Sequence, residues 1–226
     1  MEIESIARFH SPFSSKFGIP KQAGLVPELD GKIVFEPGFR NADSLRGIEE
    51  FDYLWLIWGF SANKHKANSP VVRPPDLGGN EKMGVFATRS PFRPNSLGLS
   101  SVQLSSVEWQ TPVGPVIHVK GADLMDGTPI YDIKPYITYA DCHEGARSGF
   151  VDKRKWSRLQ VVVPEETRHY LQCCGLDERR ISVLREVLAQ DPRPHYQKDP
   201  HKVYGMPYEG MDVHFSVDGD VLTVLP

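Results

Sequence analysis

Glycine and proline cut this chain into short segments. There are nineteen of each among 226 residues, about 17% where roughly 12% is ordinary. Interruption at that density excludes a bundle of long helices and points to a turn-rich, β-heavy fold. An apolar fraction of 40% supplies a core and argues against disorder. At roughly 150 residues per domain, the length suits one larger unit followed by a smaller one.

The punctuation sets out the elements. Residues 2–9 read as a strand ending at Ser11-Pro12, residues 14–31 as loop, and residues 32–36 as a short strand. Residues 41–50 suit a short helix. Residues 52–60 are continuously apolar and aromatic, which predicts a strand buried on both faces. Residues 61–82 form a long polar loop, a length that in a compact domain marks function or disorder. A strand is expected over 83–88, a loop rich in Arg and Pro over 89–97, and half-buried strands over 99–109 and 116–124. A further strand spans 130–139, interrupted by Pro135. Residues 141–158 hold Arg147, Lys153, Arg154, Lys155 and Arg158 with Gly145 and Gly149, and read as a basic linker.

The last third differs in character. Pro164-Glu165-Glu166 opens a helix that Gly175 stops. Asp177 caps a second helix, in which Ile181, Leu184, Val187 and Leu188 form an apolar stripe and Pro192 is the terminator. Residues 211–217 and 220–225 flank Asp218-Gly219, a hairpin signal. The chain therefore reads as mainly β with α+β: a β-rich domain over 1–140, the linker over 141–158, and a small α+β domain over 159–226.

Several classes of protein are disfavoured. Met1-Glu2-Ile3-Glu4 lacks the basic and apolar regions of a secretory signal. The most apolar run, 53–60, is too short to span a bilayer. Cys142, Cys173 and Cys174 are odd in number and form no C-x-x-C, which predicts free thiols in a reducing cytoplasm. Eight scattered histidines with no H-x-x-x-H spacing predict no metal site. The formal charge is −3, so binding to a polyanion would need locally clustered positive charge.

Three stretches carry candidate chemistry. In Thr88-Arg89-Ser90-Pro91-Phe92-Arg93-Pro94-Asn95 two arginines sit four apart in a proline-stiffened loop. Guanidinium groups held in that way suit phosphate or carboxylate, although a plain solvated turn has the same composition. Asp126-Gly127-Thr128-Pro129 is a tight turn that lets a ligand approach the backbone, or a simple hairpin. Asp132 and Lys134 follow it at strand spacing. Asp191-Pro192-Arg193-Pro194 fixes another arginine beyond a helix, or simply ends that helix with exposed charges. Glycine-rich dinucleotide and G-x-S-x-G motifs are absent.

Taken in order, Gly84-Val85-Phe86-Ala87-Thr88-Arg89-Ser90-Pro91-Phe92-Arg93-Pro94-Asn95, Asp126-Gly127-Thr128-Pro129 and Asp132-Ile133-Lys134-Pro135-Tyr136 resemble the TsaA/TrmO family. Pro20-Lys21-Gln22, residues 47–60, residues 72–80 and residues 185–196 support the resemblance, which runs nearly the whole chain. It implies a small β-barrel that binds S-adenosylmethionine, a small α+β C-terminal domain and a homodimer. It also implies methylation of the N6 nitrogen of N6-threonylcarbamoyladenosine beside the anticodon of threonine tRNA.

By position the donor would contact Lys21, Gln22, Ser61, Ala62, Arg89, Leu99, Asp126, Gly127, Thr128 and Pro129. Ser61-Ala62 depart from the His-Gln of relatives. Arg93, Asn95, Lys134, Tyr136 and Arg193 would contact the tRNA anticodon stem-loop, with Arg89 or Arg93 clamping the threonyl carboxylate. Asp126 and Asp132 are both candidates for a base. The rival readings are a methyltransferase of the same barrel type acting on another substrate, and a non-enzymatic β-barrel that binds RNA or S-adenosylmethionine.

Overall fold

The computed structural model describes residues 2–63, 69–74, 81–153, 157–194 and 199–226. Its first part is a closed barrel. The contributing strands are β1 (Ala7–His10), β2 (Asp30–Phe35), β3 (Tyr53–Gly59), β6 (Leu97–Glu108), β7 (Val116–Lys120) and β8 (Thr128–Pro135). They pair in the order β1-β2-β7-β6-β3-β8, and β8 pairs back onto β1, every pair antiparallel. Strand alternation points Phe9, Ile33, Leu54, Leu56, Val102, Ile117 and Ile130 inward, all at most 1% exposed. In so small a barrel these side chains fill the interior. Gly31 is required there: a Cβ at this position would lie 2.2 Å from the Phe9 ring.

A second core forms around a four-stranded sheet. Its members are β9 (Gln160–Val162), β10 (Tyr204–Tyr208), β11 (Met211–Asp218) and β12 (Val221–Leu225), in the order β10-β11-β12-β9 with β9 and β12 parallel. Helices α2 (Glu165–Cys173) and α3 (Glu178–Ala189) pack on it. The Arg180 amide donates to the Asp177 carboxylate at 2.8 Å, so Asp177 caps α3 as expected. The expected stripe Ile181, Leu184, Val187 and Leu188 is buried. Phe13, Val26 and Leu29, which follow β1 in the chain, join this second core rather than the barrel's. Arg179 on α3 grips Asp30 at the start of β2 with two bonds, at 2.6 and 2.8 Å. These bonds hold the Asp30 carboxyl below its ordinary range.

Several local expectations are corrected. β3 alternates instead of burying both faces: Leu54, Leu56 and Trp58 point in, while Tyr53, Trp55 and Ile57 point out. Residues 41–50 form two 3-10 turns, not one helix, because Gly47 at φ +84° breaks the path between them. The first strand is shorter than 2–9, starting at Ala7. Instead of a strand over 83–88, Met83–Gly84 (β5) bridges Val71–Val72 (β4) and Val85–Ala87 forms a 3-10 turn. That bridge also gives the 61–82 loop a short ladder. The strand expected over 130–139 runs over Thr128–Pro135 instead, and Thr138–Asp141 is a helical turn, α1. The hairpin turn falls at Gly219-Asp220, one residue later than expected.

Gly31→Ala should force Phe9 off its packing and lower stability by about 1–3 kcal/mol. Chemical denaturation monitored by circular dichroism tests this, and an unchanged midpoint would refute the close approach.

Candidate active site

The outward face of β3 explains its apolar composition. Trp55, Ile57 and, from β6, Leu99 line a cleft of about 810 Å³. Ile57 and Leu99 are register partners, so these rings and branches form one floor. Leu99 is 57% exposed, an exposure that makes sense for a surface awaiting a ligand. The volume lies within the range of small-molecule sites.

One wall is the loop predicted from its prolines. The Thr88 hydroxyl donates to the Val85 carbonyl at 2.9 Å, and the Ser90 hydroxyl accepts from the Phe92 amide at 3.2 Å. Arg93 Nη1 donates to the carbonyls of Thr88 and Ser90 at 3.2 and 3.4 Å. The Phe60 amide donates to the Ser96 carbonyl at 2.8 Å, tying this loop to the end of β3. The opposite wall is the segment Pro20-Lys21-Gln22. Arg89 Nη1 donates to Gln22 Oε1, which bridges the two walls. Lys16 Nζ donates to Asn63 Oδ1, and Asn63 Nδ2 donates to the Pro91 carbonyl at 3.3 Å.

The predicted residues divide into two groups. Lys21, Gln22, Ser61, Ala62, Arg89, Arg93, Leu99 and Thr128 line the cleft together. The turn containing Thr128 is held from behind. Asp126 accepts from the Ser11 amide at 3.1 Å and stands 3.2 Å from His10 Nδ1. The Gly127 amide donates to the Phe9 carbonyl at 2.8 Å, and Pro129 pairs with Arg8. Asp132 bonds the Ile133 amide and pairs with Lys134 at 3.3 Å, outside the lining. Asn95 is exposed and outside the lining. Tyr136 packs against Trp55 with centroids 5.8 Å apart. Arg193 is 12% exposed and held by Asp191 at 2.8 and 3.0 Å. Residues 75–80 of the Val72-to-Asn80 match, Arg154 and Lys155 of the linker, and residues 195–198 lie outside the described residues.

Sequence reasoning missed the interior end of the cleft. Trp58 Nε1 donates to Ser100 Oγ at 3.0 Å, and Ser100 Oγ donates to Asp123 Oδ1 at 2.6 Å. Burial pushes the Asp123 carboxyl above its ordinary range, against opposing bonds from Ser100 and from the backbone amides of Asp123 and Ala23. Gly98 makes room for this chain, since a Cβ there would lie 2.3 Å from the Trp58 indole. Alternation of apolar and polar residues does not reveal such a site, because its members come from three strands or loops.

A model of the tRNA-methyltransferase O N-terminal domain matches residues 8–142, and one of the TrmO C-terminal domain matches residues 157–226. The chain belongs to the tRNA-methyltransferase O family. It is 36% identical to the tRNA (adenine(37)-N6)-methyltransferase of Escherichia coli K12 over 219 residues, 96% of this chain and 93% of that one. A Pseudomonas aeruginosa relative that bears the name of an S-adenosylmethionine-dependent methyltransferase is 38% identical over 216 residues, 94% of this chain and 91% of that one. The crystal structure of TrmO from Pseudomonas aeruginosa superposes with a TM-score of 0.79 at 31% identity, covering 100% of this chain and 96% of that one. Among the described residues no cluster of three or more His, Cys, Asp or Glu is placed to hold a metal, and no helix is long and apolar enough to cross a membrane.

Arg93→Lys should lose the two bonds to Thr88 and Ser90, since Nη1 makes both of them and a lysine nitrogen ends one bond shorter on a flexible stem. Hydrogen–deuterium exchange should quicken across residues 88–96 while the barrel strands stay protected. Unchanged protection in the loop would refute the brace.

Proposed function

We propose that the chain is an S-adenosylmethionine-dependent tRNA methyltransferase whose target is the N6 nitrogen of N6-threonylcarbamoyladenosine, the adenine beside the anticodon of threonine tRNA. It acts as a homodimer in the cytoplasm. One observation carries the reading: Lys21-Gln22, Ser61-Ala62, Arg89, Leu99 and Thr128, from five separated stretches, meet around one cleft.

The chemistry of the lining suits the donor. Trp55, Ile57, Phe60 and Leu99 offer apolar surface for an adenine ring, and Arg89 and Lys21 offer charge for a carboxylate. The bridge from Arg89 to Gln22 keeps the guanidinium aimed across the cleft. Bound S-adenosylmethionine supplies a methyl group already activated on a positive sulfur, whose leaving group needs no acid. The protein's work is then to hold the accepting nitrogen in line and to exclude water. The Ser61-Ala62 departure replaces two long polar side chains with a hydroxyl and a methyl, which leaves the Ser61 hydroxyl and backbone groups at that position.

Substrate recognition has two supports. The exposed ring of Tyr53 and the half-buried ring of Tyr136 extend the Trp55 surface, a platform on which an unstacked loop base can lie. Lys134 stands beside Trp55 in the barrel register. The positive residues Lys16, Lys21, Arg89 and Arg93 gather at the cleft of a chain whose net charge is −3. That clustering reconciles an acidic protein with a polyanionic substrate.

Transfer RNA from a strain lacking this enzyme should gain one methyl group on threonylcarbamoyladenosine when incubated with the protein and S-adenosylmethionine. Nucleoside mass spectrometry reads this out, with tRNA lacking the threonylcarbamoyl group as control. Methylation of that control to the same extent would refute the assigned target, and donor uptake without methylation of any tRNA would favour a binding module.

Affinity for the anticodon stem-loop should fall steeply with added salt, by about 0.7 in log–log slope for each phosphate contacted in single-stranded loop. A flat response in a filter-binding titration would remove the electrostatic component.

A further inference from the structure

We infer that Asp123 is the group that accepts the proton from the nitrogen as it is methylated. The inference rests on the methyl-transfer reading above and assigns its missing acid–base function to one carboxylate.

The cleft selects this residue. Among the described residues that line it, Asp123 is the single acid, set among Lys16, Lys21, Arg89 and Arg93. Asp126 and Asp132 are outside the lining and already engaged, the first by the Ser11 amide and His10, the second by Lys134 and the Ile133 amide. Asp123 is also oriented from behind. Trp58 donates to the Ser100 oxygen, so the Ser100 hydroxyl proton has its direction set toward Asp123 Oδ1. The Ala23 amide, next to Gln22 in the donor wall, bonds the same carboxylate. A carboxylate has about four acceptor sites, so these bonds leave capacity for a proton from the cleft side.

The electron count closes without another reactant. The nitrogen lone pair forms the new N–C bond, and the pair of the broken C–S bond stays on sulfur. The N–H pair returns to nitrogen as its proton passes to an Asp123 oxygen, which later yields it to solvent. A nitrogen conjugated to a carbonyl is a poor nucleophile until that proton is taken up, so a poised base has most to contribute here. Burial raises the basicity of Asp123 above that of an exposed aspartate, while Arg89, the charged group acting on it across the cleft, pulls the other way.

The test uses the full-length protein, with S-adenosylmethionine and threonylcarbamoylated tRNA. Asp123→Asn should bind S-adenosylmethionine in calorimetry as the wild type does, yet lose about 100-fold or more in single-turnover rate. The wild-type rate should rise with pH along an acidic limb that this variant lacks. Ser100→Ala, which removes a bond that stabilises the carboxylate, should move that limb to higher pH. In the unloaded protein, NMR of the Asp123 carboxyl carbon should show the same upward move of its titration. Wild-type turnover by Asp123→Asn would overturn the inference. So would loss of donor binding in that variant, which would make the carboxylate a donor ligand, or a limb and titration unmoved in Ser100→Ala. Failure of the wild type itself to methylate tRNA would instead sink the functional reading.

Discussion

The whole arrangement hangs on one four-residue strand. β1 pairs with β2 on one side and β8 on the other, so it closes the barrel. The chain leaving β1 then performs two further tasks within a few residues. The backbone from Phe9 to Phe13 clasps the Asp126-Gly127 turn through three hydrogen bonds of 2.8 to 3.1 Å, which holds Thr128 at the cleft. Phe13 next enters the second core, against Tyr208 at 5.6 Å between rings. Barrel closure, cleft wall and second core are therefore coupled through one segment. A ligand that contacts Lys21-Gln22 acts on a stretch whose two ends, Phe13 and Val26, are both fixed in the second core, which limits how far the wall can move.

Charge is distributed to the same end. The surface carries compensating pairs such as Arg8 with Glu36 and Lys120 with Glu28, each half-exposed and individually weak. Among the described residues that line the cleft, four cations face one acid. Part of that positive charge is committed inside the protein, since Arg89 bonds Gln22 and Arg93 bonds its own loop. Bonds to neutral acceptors fix where these guanidinium groups point without cancelling their charge, so the cleft stays positive.

Much of this was legible in the chain. The proline-braced loop, the α3 stripe with its Asp177 cap and the terminal hairpin were all readable, because each depends on neighbours in sequence. The β3 strand was misjudged for a specific reason. An unbroken apolar run signals two covered faces, but the outer face of Trp55 and Ile57 is a cleft floor instead of a packed layer. The single 41–50 helix failed on one backbone angle at Gly47. Asp123 lies three residues before the turn singled out for chemistry, and the turn at Asp126 drew the assignment. What distinguishes the two acids is burial and the hydroxyl of Ser100, 23 residues away in sequence on β6, and no local pattern encodes that meeting.

Arg93 shows why an arginine, rather than any cation, stands in the loop. One of its terminal nitrogens is occupied by the carbonyls of Thr88 and Ser90. The guanidinium has five donors in a rigid plane, so satisfying the loop with one nitrogen fixes the direction in which the others point. Arg93 lines the cleft in that pose. Rigidity of the wall and aim of the charge are thus one interaction seen from two sides, and the flanking Pro91 and Pro94 narrow the alternatives the unbound loop would otherwise sample. The Thr88–Ser96 loop owes part of its order to a side chain that also gives it charge.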